Sequence, residues 1–251
     1  MPQFSETVTA VGAAFGTNTD PTSATTGILL PLGVGVLDRT GRRWRWCKAG
    51  ASDLVAGNWI QSSAIIANHL ANTPPAVAIG ATSFSYTPGA TAGAANLYAE
   101  GYLQVDTTPG NGNGPYLISG HAAISSSTAF TLNLAEPILV ALTTSSRVGL
   151  IANPYQNVIQ GPATTATGSC VGVASYIITA AYNGWIQTWG IGSPLMTDTC
   201  TVGLPIGVPS GTAGGVVQVS YATNVLTATP IGQMAQTAVS GKNNAAFLRI
   251  S

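Results

Sequence analysis

Charge is what this sequence has least of. Only 6% of its 251 residues are Asp, Glu, Lys or Arg, where a soluble domain carries about 25%. Eight cations balance eight carboxylates, so the formal net charge is zero. That excludes a charged disordered tail, which needs low hydrophobicity and high net charge. It also excludes a protein that acts through a global field. Histidine is scarce: His69 and His121 have no second His or Cys at metal-ligand spacing, and each reads as a structural or solvent-exposed imidazole. Cysteine is scarce too. Cys47, Cys170 and Cys200 contain no Cys-x-x-Cys and are too few for a disulfide framework. They read as reduced, buried thiols, with Cys170 and Cys200 the pair that could join in an oxidising space. Long apolar runs are missing: Ile28 to Leu37 is broken by Pro31, Gly33 and Gly35, well short of the roughly 18 residues of a membrane span. The N-terminus has no basic region followed by an apolar core, so no secretory signal is expected. Glycine has no three-residue period, which excludes collagen.

Catalytic signatures are equally thin. No Gly-x-Ser-x-Gly occurs, since Gly192-Ser193-Pro194 breaks the pattern. Glu100 and Asp106 would lie roughly 20 Å apart along a strand, too far for a glycosidase pair at about 5–10 Å. Gly110 to Gly114 is glycine-rich, but no Lys-Ser/Thr follows, so it is not a phosphate loop. The sequence therefore predicts no catalytic residue, no metal and no cofactor, and a protein that is not an enzyme.

What is present is small and neutral. Ala, Gly, Ser and Thr make up 117 of the 251 residues. The surface must consist largely of such residues, without the mixed charge that keeps soluble monomers apart. It suits a protein that works packed in an assembly.

Helical periodicity is nearly absent, and short period-two runs separated by turn residues fill the chain. The clearest is Leu97 to Asp106, followed by a turn from Pro109 to Pro115. Asn183-Gly184 carries a type I′ hairpin signal. Asp38 to Gly41 and Ser240 to Asn243 read as tight turns. About a dozen such runs predict an all-β protein of barrel or sandwich units built from short antiparallel strands. Residues 1–26 read as an extended N-terminal arm. Pro74-Pro75 and Asn153-Pro154 bracket a stretch with its own strands. We therefore expect 27–72 with 155–251 to form one β-barrel domain and 73–154 an inserted β unit.

One segment stands out. Arg39, Arg42, Arg43, Arg45 and Lys48 are five of the eight cations, and they enclose Trp44 and Trp46. On a strand, Arg42, Trp44, Trp46 and Lys48 share one face, and Arg43, Arg45 and Cys47 the other. Trp and Arg are preferred anchors of protein interfaces, and cations interleaved with aromatics also suit single-stranded nucleic acid. The plain alternative is that the rings fill a core while the Arg side chains stand in water or pair loosely with Asp38 or Asp53. The rest of the chain supplies almost no positive charge, which argues against an extended phosphate track. In Gly184 to Gly190, Trp185, Gln187 and Trp189 alternate onto one face, as core or interface anchors.

Gly41-Arg-Arg-Trp-Arg-Trp-Cys-Lys-Ala-Gly50 with Leu54-Val-Ala-Gly57 resembles a segment common in virion proteins of tailed bacteriophages. So do Val140 to Arg147 with Asn153-Pro-Tyr155, and Val171-Gly-Val-Ala174 with Gly184 to Gly190. Residues 165–251, with their late Ile231-Gly232, are similar to the small β-barrel of phage head-decoration, or cement, proteins. The resemblance spans about 27–251 and rests on packing patterns. Known small decoration proteins are shorter, and the 73–154 unit has no counterpart in the resemblance. It implies a structural virion protein on the capsid exterior that binds the major capsid protein, stabilises the shell and trimerises. No membrane partner and no nucleic acid are implied. The competing readings are another virion component, such as a tail or fibre protein, and a carbohydrate-binding or hydrolytic β protein with exposed Trp platforms.

Overall fold

The structure is a computed structural model that describes residues 30–209, 211–222, 225–226 and 228–250. The expected arm, residues 1–26, lies outside the described residues. The protein is all-β: the described residues form nineteen short strands and one 3₁₀ turn, Ala67–His69, and no α-helix. The chain forms two compact units. Unit 1 comprises Met1–Ser63 and Pro154–Ser251, and unit 2 is Ala64–Asn153.

In chain order, unit 1 first contributes β1 (Gly35–Leu37), β2 (Arg43–Lys48) and β3 (Trp59–Gln61). Unit 2 contributes β4 (Ser83–Tyr86), β5 (Tyr102–Val105), β6 (Tyr116–His121), β7 (Phe130–Leu134) and β8 (Val148–Ile151). The chain then returns to unit 1 with β9 (Ile159–Gln160), β10 (Cys170–Ala174), β11 (Asn183–Gly192), β12 (Leu195–Met196) and β13 (Pro205–Val208). It ends with β14 (Val217–Gln218), β15 (Tyr221–Ala222), β16 (Val225–Leu226), β17 (Thr229–Met234), β18 (Lys242–Asn243) and β19 (Ala246–Arg249).

Unit 1 is built on a ten-stranded sheet whose spine is β11. Gln187 pairs with both Val173 of β10 and Trp44 of β2, so those two strands flank β11 on opposite edges. Trp189 pairs with both Arg43 of β2 and Arg249 of β19. One edge of β11 therefore passes from β10 to β19 along its length. From β10 the sheet continues to β3 and β9, and from β19 to β17, β13 and β14. The sheets are antiparallel and curled into half-barrels, as the right-handed twist of strands favours.

Neighbouring residues on the same strand enter different cores. Trp59 and Val173 pack with Met196, Ile206 and Leu248. Ile60 and Ala174 pack with Cys47, Leu54, Val158 and Ile186. β3 and most of β10 are thus buried on both faces. That is why Trp59–Gln61 shows no alternation and carries no period-two strand signal. Gly161 lies flat against the Trp59 indole, and any side chain there would overlap the ring.

Unit 2 is a five-stranded antiparallel sheet in the order β4-β7-β6-β5-β8, around Tyr86, Leu103, Leu132, Ile138 and Val148. It begins at Ala64 and not at residue 73. Asn72 bridges to Val148, and the backbone N–H of Gly89 donates to Asn68 O, so the stretch before Pro74-Pro75 is stitched into this unit.

The strand expected over Leu97 to Asp106 shrinks to Tyr102–Val105. Asn96 and Glu100 adopt left-handed backbone conformations that no strand accommodates. The residues between them turn to deliver Tyr98 to the core, 3% exposed. Asn183-Gly184 forms no hairpin tip. It opens β11, opposite Lys48 and Cys47.

Candidate functional site

The five clustered cations end in different places. The Asp38–Gly41 turn, closed by Gly41 N–H on Asp38 O, leaves Arg39 exposed at its tip. Asp38 is 5% exposed in its side chain and is saturated with donors. It accepts from Thr40 N and Oγ1 at 2.8 and 2.7 Å, and from Arg42 N and Nε at 3.0 and 2.7 Å. Burial raises the carboxyl pKa, but the bonds from Thr40 and Arg42 outweigh it and carry Asp38 down to about 2. Arg42 is thereby committed to the one ion pair among the described residues, and its guanidinium also lies 5.3 Å from the Trp44 ring centre. Arg45 donates to Gly33 O at 2.8 Å. Lys48 closes β2, its backbone N–H bonded to Tyr155 O, its side chain half-buried.

The Trp residues divide by face. Trp44 and Trp185 are 2% and 8% exposed. Trp46 stands directly opposite Trp185, edge to face at 5.0 Å between ring centres. These three fill space. A sugar platform needs an open ring face, and two of the four candidate rings have none.

Trp189 is different. A β-bulge falls between Gln187 and Trp189: Gln187 faces Trp44, but Trp189 faces Arg43. Because side chains alternate with period two, one extra residue moves everything after it to the opposite face. Trp189 therefore leaves the face of Trp185 and Gln187, where simple alternation put it, and joins Arg43. Gly190 absorbs the distortion with φ +87°. A Cβ there would also sit 3.0–3.1 Å from Arg42, so the position favours glycine on two counts.

The result is a row across β2, β11 and β19. Arg43 is exposed and lies 5.5 Å from the Trp189 ring centre. Trp189 meets Phe247 edge to face at 5.4 Å. Arg249, exposed, lies 5.3 Å from the Phe247 ring centre. Ile191, 49% exposed, sits opposite Phe247. Of the five expected interface cations only Arg43 belongs to this face. Phe247, Arg249 and Ile191 were missed. The alternation of Ala246-Phe-Leu-Arg249 marks a half-buried strand, but no local pattern says that β19 pairs with β11.

The histidines are both in unit 2 and both buried. His69 Nδ1 accepts from the Tyr98 hydroxyl at 2.5 Å while Nε2 donates to Thr91 O at 2.8 Å. His121 Nε2 accepts from the Tyr98 backbone N–H at 2.9 Å and Nδ1 donates to Ala122 O at 2.7 Å. Each ring is a structural connector, consistent with the structural half of the expectation. The three cysteines are free. Burial raises all three thiols, Cys170 to about 12, which makes them poor nucleophiles. No group of three His, Cys, Asp or Glu residues placed to hold a metal ion occurs among the described residues.

A scan against protein families finds no match, nor do searches of curated proteins and of solved structures.

Proposed function

We propose that the chain is a structural, non-catalytic virion protein that binds the outer surface of an icosahedral phage head and stabilises it. It would do so as a homotrimer seated on the major capsid protein. The observation that carries this reading is the cation–aromatic face of unit 1, set on a protein with few charged residues in all. Stacked Arg and Trp are the side chains interfaces use as anchors. Exposed Leu37, Val55, Ile177, Val202, Leu204 and Val239 add apolar area on the same unit. Docking such a surface desolvates few charges. A protein that binds the assembled shell and not its dissociated subunits stabilises the shell by mass action. Several copies held together add avidity.

The test is copy number in purified particles, by quantitative mass spectrometry against the most abundant shell protein. Hundreds of copies in a simple ratio are expected. A handful would move the protein to the tail or portal. Absence would overturn the virion reading.

A further inference from the structure

The two units carry opposite charge. Unit 2 holds Glu100, Asp106 and Glu136 against Arg147, a net of −2. The described residues of unit 1 hold seven cations against Asp38, Asp53 and Asp198, a net of +4. The carboxylates of unit 1 among the described residues are already engaged by backbone N–H groups: Asp38 by Thr40 and Arg42, Asp53 by Ala180, Asp198 by Gln218. Those of unit 2 are exposed.

We infer that the Arg43–Trp189–Phe247–Arg249 face of one copy docks on the Glu136 cleft of unit 2 of a second copy, with Glu136 as its principal acceptor. This rests on the multi-copy reading above and names the surfaces that would make it. An Arg stacked on a ring keeps its in-plane N–H groups free for a carboxylate. Arg43 and Arg249 lie two strand spacings apart, roughly 10 Å, with Trp189 between them, so the face asks for carboxylate beside apolar surface. Glu136 meets that description. It lines an open cleft of about 400 Å³ together with Pro115, Tyr116, Pro137 and Leu139. Leu139 is 60% exposed, and Glu136 makes no ion pair among the described residues. The contact must be heterologous. Face against like face would set Arg43 and Arg249 against themselves, whereas head-to-tail contacts close into rings when the rotation permits. Nucleic acid is disfavoured because two guanidiniums make no phosphate track.

Sedimentation and native mass spectrometry of the full chain test this. The wild type should self-associate, and about 1 M salt should weaken association because screening shortens the reach of charge. Arg43→Glu with Arg249→Glu, and separately Glu136→Arg, should each weaken association by at least about tenfold. Mixing the two variants should restore a complex, since the first then offers carboxylates to the second's guanidinium. Trp fluorescence and circular dichroism confirm that each variant is folded. A wild type monomeric at all concentrations, or association unchanged in both variants, would overturn the inference. Either result alongside hundreds of copies per particle would leave the virion reading standing.

Discussion

At the scale of single residues, Asp38 does more than balance a charge. It ties the turn 38–42 to the start of β2, and its Oδ2 also reaches Trp44 Nε1 at 3.4 Å. Asp38→Ala removes these acceptors from several donors at once. A loss of about 2 kcal/mol is expected, measurable as a lower urea midpoint with unchanged slope. The pH dependence follows from the direction of the shift. Its folded pKa is about 2 against an ordinary 3.8. Its contribution is therefore complete above about pH 4 and disappears as pH falls through 2. Asp38→Asn should lower stability near neutrality, where the carboxylate contributes in full, and flatten the stability profile in that acid window. An unchanged acid limb would mean that the carboxylate bonds are not formed in solution.

At the scale of elements, the bulge in β11 decides which side chains form the outer face. Gly190→Ala places a Cβ at φ +87° against Arg42, with an expected cost of at least about 1 kcal/mol. Strain at the bulge should also loosen Trp189, read as a red shift and faster quenching of Trp emission. Stability equal to wild type would show that the backbone there relaxes freely. The same bulge marks the limit of what could be read from the chain. Residues 43–48 are legible as a strand because Arg-Trp-Arg-Trp-Cys-Lys suits a two-sided pleated surface, and the all-β class follows from many such runs. Gln187-Thr-Trp189 carries no local sign of an extra residue, so alternation alone puts Trp189 on the wrong face. Leu97 to Asp106 alternates well, yet Tyr98 is drawn inward by His69 and His121, bonds that span 29 and 23 residues. Long-range pairing outweighs local pattern in both cases. The cation cluster was visible as composition. Its division into a turn anchor at Arg42, a backbone tether at Arg45 and a face residue at Arg43 depends on partners far along the chain.

At the scale of the whole molecule, the two units carry different reporters and different titrating groups. All five Trp residues lie in unit 1, and both His residues lie in unit 2. His121 joins β6 to the turn before β5. Its main chain exchanges bonds with Asn96, and its Nε2 accepts the Tyr98 N–H. A proton on Nε2 would face that N–H with a second donor. Burial lowers the His121 pKa below its ordinary 6.5, partly opposed by its bond to Ala122 and aided by His69. A group depressed in this sense leaves the unfolded chain binding the extra proton. Stability is full above about pH 6.5 and falls as pH drops below it, until the folded ring itself titrates. Unit 2 should therefore lose stability well before the Asp38 window opens in unit 1. Between pH 7 and 5, hydrogen exchange of β5 and β6 should report weakening, while Trp emission stays constant. His121→Gln, which cannot titrate, should lower the neutral-pH stability of unit 2 but remove most of this acid dependence. Trp emission and the hydrogen exchange of β5 and β6 moving together through one transition would show that the units unfold as a single cooperative body. The histidine bonds would then be felt by the whole chain and not by one half of it.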